Sequence, residues 1–195
     1  MQTLAGLTKG LKIIEPFLKQ HQFEFDNYQN GKDSSGEFTV GIYTNKRKKF
    51  LVDYRFSIGQ VLYQFDHSII SHPFYLDQLG FADKKRLTDF LSDDKPEVFD
   101  HILHDFNFLV DDFFEGECIR LREFAKLQDN VIIELDKEIR EENNIRFDII
   151  KIEKARQKFR MKDFPKALEL YGAVGHKNLL NDLDEKIMEH CERHV

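Results

Sequence analysis

Tryptophan is absent from this 195-residue chain, and cysteine, methionine and proline are scarce, at two, three and four residues. Each shortage excludes something. Cys118 and Cys191 lie far apart without a paired motif, which argues against a disulfide-stapled scaffold and predicts two free thiols in a reducing compartment. No stretch approaches the roughly 18 uncharged apolar residues of a membrane-spanning helix, and residues 1–20 lack the compact apolar run of a signal peptide, so a cytoplasmic location is expected. Positive charge is not in excess. With 29 Lys and Arg against 35 Asp and Glu the formal charge is −6, which argues against a nucleic-acid binder working through a broad basic face. Catalytic signatures are missing too: there is no glycine-rich phosphate loop, no Gly-x-Ser-x-Gly elbow, no catalytic-cysteine motif and no linker rich in Pro, Gly or Ser. Nothing in the sequence calls for a cofactor.

What is present is aromatic and charged. Nineteen phenylalanines and six tyrosines predict a core built on rings, while 33% charged residues supply ample solvated surface. The most regular apolar stripe lies in residues 96–115. There Val98, Phe99, Ile102, Leu103, Phe106, Leu109, Val110, Phe113 and Phe114 recur at three-and-four spacing, which predicts a central helix. Asp93 and Asp94 offer caps at its start, Pro96 suits its first turn, and Gly116 suits its end.

Upstream, Leu4, Leu7, Leu11, Ile14, Phe17 and Leu18 predict a first helix that Gly6, Gly10 and Pro16 weaken. From Phe23 the period changes to two. Strands are predicted around 23–26, 38–42, 50–56 and 61–65, with a loop over 30–36 and a basic turn at Lys46, Arg47, Lys48 and Lys49. Charges at such a turn protect a sheet from edge pairing. Short helices follow near 74–79 and 84–91, then the central helix, then a long charged helix over 117–142 that stops at Asn143 and Asn144. Its last turns are so polar that they belong at the surface. The fold class is therefore α+β: a four-stranded antiparallel meander with helices on one face, followed by an all-helical C-terminal half. Residues 1–142 are expected to form the α+β domain, and residues 145–195 a helical appendage of three helices, the alternative being that these helices complete the same domain.

Two resemblances add to this reading. Ala155, Phe159, Asp163, Phe164, Ala167 and Tyr171 stand where a tetratricopeptide repeat has its small and aromatic contacts, so residues 150–174 resemble one such helical hairpin. Arg55, Ile58, Gly59, Val61, Tyr63, His72, Tyr75, Leu79 and Gly80, followed by the Phe-rich stretch ending at Gly116, resemble a family of small bacterial proteins. That resemblance covers residues 23–116, implies a bacterial origin and brings no activity with it.

Three groups of residues have the types that chemistry needs. Asp100, His101, His104 and Asp105 offer i, i+4 carboxylate–imidazole pairs that could hold a metal ion, although such pairs are common on solvated helix faces. His190, Cys191 and His194 have ligand types but lack a fourth partner. Asp53, Arg55 and His72 would form a binding site if the polar face of the meander met the loop before Pro73, the plainer reading being that Arg55 pairs with Asp53 or Asp66 across the sheet. The functional expectation is a non-enzymatic protein acting by protein–protein binding, with an immunity-like role neutralising a toxin in view for a small acidic bacterial protein. The rival is a metal-dependent enzyme using the polar edge of the central helix.

Overall fold

A computed structural model of the chain describes residues 2–34, 36–55, 57–87 and 98–195. Two compact units divide it, Met1–Asn130 and Val131–Val195.

The first unit opens with α1, Gln2–Gln20, followed by an antiparallel meander of five strands in sequence order: β1 Glu24–Asp33, β2 Gly36–Asn45, β3 Lys48–Tyr54, β4 Ile58–Phe65 and β5 Ser68–Ser71. The expected four strands are thus five, because the four residues after the Asp66–His67 turn pair with β4. Strand β1 also runs on through Asn30 and Gly31, where a loop was expected, and only Lys46 and Arg47 form the basic turn, Lys48 and Lys49 belonging to β3. Alternation sorts the side chains. Phe25, Tyr43, Phe50, Tyr63 and Ile70 stand opposite one another, one from each strand; the last four are buried and form an inner rung, while Phe25 at its edge is exposed. Helix α1 lies close against this face: a Cβ on Gly41 would stand 2.8 Å from the Leu11 side chain, and one on Gly10 would enter the Phe99 ring at 2.1 Å. Gly41 of β2 therefore lets α1 approach the sheet, and Gly10, which weakens α1 as a helix, lets it approach the helix that carries Phe99.

After α2, His72–Gln78, residues 84–87 are not helical, and residues 88–91 of the helix expected over 84–91 lie outside the described residues. The central helix is shorter than its stripe. Helix α3 spans Val98–Phe106, Asn107 donates its side-chain amide to the Leu103 and His104 carbonyls, and Val110–Phe114 makes a π-helical turn in which Phe114 and Glu115 donate five residues back. The wider turn keeps both Phe113 and Phe114 buried. Asp112 then accepts from the backbone N–H groups of Arg120 and Leu121, satisfying the start of the helix that follows, and from the Tyr75 hydroxyl.

Helix α4 is Ile119–Arg160, unbroken through Asn143 and Asn144, so the expected boundary at 143–145 lies inside a helix. In the second unit its last turns, α5 (Phe164–Gly172) and α6 (Asp182–Glu192) share one cluster that includes Ile152, Ala155, Ala167, Tyr171, Ile187 and Cys191. Asp184 sits buried at its centre, taking both ends of the Arg156 fork at 2.7 Å and the Tyr171 hydroxyl at 2.9 Å.

Candidate functional site

The residues singled out by sequence are redistributed. Asp53 and Arg55 do come together, lining a depression of about 530 Å³ with Phe38, Leu51 and Leu62, and the Arg55 guanidinium lies 5.2 Å from the Phe38 ring centre. His72 does not join them. It is wholly buried beside Tyr63, whose ring points inward from β4. Asp66, considered as a partner for Arg55, instead receives the Arg47 fork.

What His72 joins is Asp105, from the other set. Tyr63 Oη lies 2.6 Å from His72 Nδ1, His72 Nε2 lies 3.0 Å from Asp105 Oδ2, and Asp105 Oδ1 lies 2.8 Å from His104 Nδ1. The backbone N–H groups of Arg86 and Leu87 donate to the same carboxylate. Burial alone raises the Asp105 carboxyl, but the hydrogen bonds from His72, His104, Leu87 and Arg86 outweigh it and hold it at about 2. The ionised carboxylate accepts a hydrogen bond from His72 Nε2–H, which leaves Nδ1 to accept from the Tyr63 hydroxyl. Burial first, and then the Asp105 charge, keeps that phenol protonated well above its ordinary range. The chain of groups runs from a half-buried imidazole to a fully buried hydroxyl, and its visible work is to satisfy polar groups inside an aromatic core.

The i, i+4 pairs expected on α3 are replaced by this adjacent pairing. Asp100 is exposed, and the buried His101 Nδ1 has no hydrogen-bond partner among the described residues. Among those residues no three His, Cys, Asp or Glu side chains are grouped to hold a metal ion. Cys191 is buried in the second unit's cluster, whereas His190 and His194 stack at its surface, ring centres 4.2 Å apart. Burial pushes the Cys118 thiol up to about 11, which leaves little thiolate at neutral pH.

Within the second unit, Asp148 gathers donors from the Lys151 ammonium, the Gly175 and His176 amides and the His176 ring, while the ring's other nitrogen lies 3.0 Å from Glu141. Two carboxylates on one imidazole raise the His176 pKa. A raised value means the clamp is complete below the unfolded histidine pKa of about 6.5 and is lost as pH rises through the folded value. Amide exchange at Gly175 and His176 is therefore expected to lose protection on the alkaline side faster than its intrinsic pH dependence, and His176→Gln should remove that extra loss. An exchange profile identical in the parent and His176→Gln would refute the clamp.

The surface least accounted for by the fold is on α4. Between positions 131 and 150 only Asp148 is buried. Val131, Ile132, Leu135 and Ile139 recur at helical spacing and are 46–55% exposed. Asp136 and Glu138 fall beside this stripe and Glu142 continues it, whereas Lys137 and Arg140 fall on the far side of the helix. The sequence held the signal: an apolar stripe whose flanking positions carry charge of one sign. None of the described helices is long and apolar enough to cross a membrane. Compared with protein-family models, curated proteins and solved structures, the chain matches none.

Proposed function

We propose that this protein acts by binding another protein, taking a basic amphipathic helix of its partner along the exposed stripe of α4. The observation that carries the reading is the stripe of Val131, Ile132, Leu135 and Ile139, four large apolar side chains on a helical stretch that buries almost nothing. A helix with one polar and one apolar face owes most of its stability in a protein to packing of the apolar face. Here that packing is left for a partner. Three carboxylates and no cation border the stripe over residues 131–142, which selects a helix carrying Lys or Arg beside its own apolar ridge. A second copy of the chain would set Asp136 and Glu138 against their own kind, which is unfavourable. The immunity-like role belongs to this class of function.

Titrating the full chain with a synthetic helical peptide whose leucine ridge is flanked by lysine, and with its glutamate-flanked counterpart, tests the proposal. Saturable binding of the lysine peptide alone is expected, weakening with salt, and falling at least tenfold in an Ile132→Asp, Leu135→Asp double variant. Both positions are about half exposed, so the fold should survive the change. Equal binding of the two peptides, no binding of either, undiminished affinity in the double variant, or self-association through the stripe would each overturn it.

A further inference from the structure

The exposed row on α4 continues past Ile139. Val131, Leu135, Ile139, Asn143 and Phe147 follow one another at intervals of four, the spacing of a ridge that winds at about −26° to the helix axis and against which a second helix packs. All five are exposed, and four of them are apolar. At a rise of about 1.5 Å per residue the row runs for about 24 Å.

Its far end carries an anchor. Phe147 is 63% exposed, more than any other phenylalanine or tyrosine among the described residues, and it belongs to neither core cluster and meets no other ring there. Beside it, within the second unit, a depression of about 540 Å³ lies between α4 and the end of α5, with apolar walls from Ile150, Leu170 and Ala173. Aromatic side chains that a fold leaves uncovered are enriched where protein interfaces bury most.

The charge along the row reverses. Asp136, Glu138 and Glu142 border its first half, whereas Lys151 and Lys154 line the depression at its far end. The carboxylate in that lining is already spent: Asp148 is buried and accepts from Lys151, from the Gly175 and His176 amides and from the His176 ring. Lys151 donates to the Ala173 carbonyl as well. Lys154 is therefore the open charge, exposed and without a hydrogen bond or ion pair among the described residues. A helix with cations along its whole length would meet repulsion where the row ends.

Resting on the reading of the α4 stripe as a helix-binding surface, we propose that the partner helix follows this row into the depression and is itself charge-polarised. Basic residues flank its apolar ridge over residues 131–142, and at its other end a carboxylate faces Lys154 beside an apolar side chain seated between Phe147 and Ile150.

Three peptides with a leucine ridge, held helical by side-chain crosslinks and titrated against the full chain, decide it. One is short, lysine-flanked and covers residues 131–142 only; one is about 18 residues long with lysine flanks throughout; the third matches the second except that glutamate replaces lysine in its last two turns. The lysine–glutamate peptide should bind at least tenfold more tightly than either of the others. Phe147→Ala should remove that advantage with the melting temperature unchanged and leave the affinity of the short peptide as in the parent, and Lys154→Glu should reverse the preference between the two long peptides. Failure of all three to bind would overturn the stripe and this extension with it. Binding of the short peptide with no gain from the glutamate end, or a gain that survives Phe147→Ala, would overturn the extension alone.

Discussion

Asp105→Ala should destabilise the first unit by about 3–5 kcal/mol, the cost of removing one partner from a buried ionic network. The carboxylate has no solvent contact, and it accepts from the His72 ring at 3.0 Å, the Leu87 amide at 2.9 Å and the Arg86 amide at 2.8 Å. Alanine leaves these donors facing apolar atoms, and each buried donor without an acceptor costs about 1–3 kcal/mol. Asp105→Asn should cost less. An amide oxygen placed at Oδ2 keeps His72 and Leu87, and the amide nitrogen at Oδ1 meets His104, whose ring can change tautomer to accept; the Arg86 amide is the donor that suffers. The pH dependence follows from the same geometry. The folded carboxyl, at about 2, lies below its ordinary 3.8, so its contribution is present above that ordinary value and is lost as pH falls toward the folded one. A depression of this size corresponds to about 2 kcal/mol. Urea titrations between pH 5 and 2 should show that loss in the parent and a flatter acid limb in Asp105→Asn. Equal acid sensitivity in the two proteins would remove Asp105 from the account.

None of this pairing could be read along the chain. His72 and Asp105 are 33 residues apart, and nothing local says that an imidazole just after β5 will meet a carboxylate on α3. Local spacing placed Asp105 on a polar helix edge with His101, because a pattern of three and four separates apolar from polar positions without saying which polar residue the next element covers. The inner rung was legible for the opposite reason: alternation in β3 and β4 is strict, and the phase of Tyr63 with Val61 and Phe65 already placed it inside. Strand β5 escaped because four residues carry too little periodicity to separate from a turn. The break in the central helix escaped because a π-helical turn shifts the phase just enough to return Phe113 and Phe114 to the core, so the apolar stripe reads as continuous across it. Asn143 and Asn144 were read as a stop, yet asparagine in a helix costs only about 0.7 kcal/mol against alanine, and no Gly or Pro follows to enforce the end. For the stripe on α4 the spacing was visible and its exposure was not, since a sequence shows which side of a helix is apolar and leaves open what covers it.

Phe106→Ala should cost about 3–5 kcal/mol, the lost transfer energy of a buried ring together with the cavity it leaves. Phe106 is fully buried, and its ring centre lies 5.1 Å from that of Phe17, 5.1 Å from that of Phe50 and 4.9 Å from that of Phe114. It thus touches α1, the sheet and the π-helical turn at once. Its planes stand at 83° to Phe50 and 69° to Phe114, edge-to-face arrangements that contribute beyond the area they bury. Neighbouring rings cannot collapse into the gap without giving up these orientations, which places the expected cost toward the upper part of the range. Phe106→Leu, which retains most of the apolar volume, should lose less than half as much. Phe147→Ala serves as the contrast: that ring is 63% exposed in the second unit, and its removal should change stability by no more than about 0.5 kcal/mol. Urea unfolding at constant pH provides the comparison, the midpoint falling in Phe106→Ala while the slope stays near that of the parent. A Phe106→Ala protein as stable as the parent would mean that the first unit does not depend on the aromatic cluster in which α1, the sheet and α3 meet.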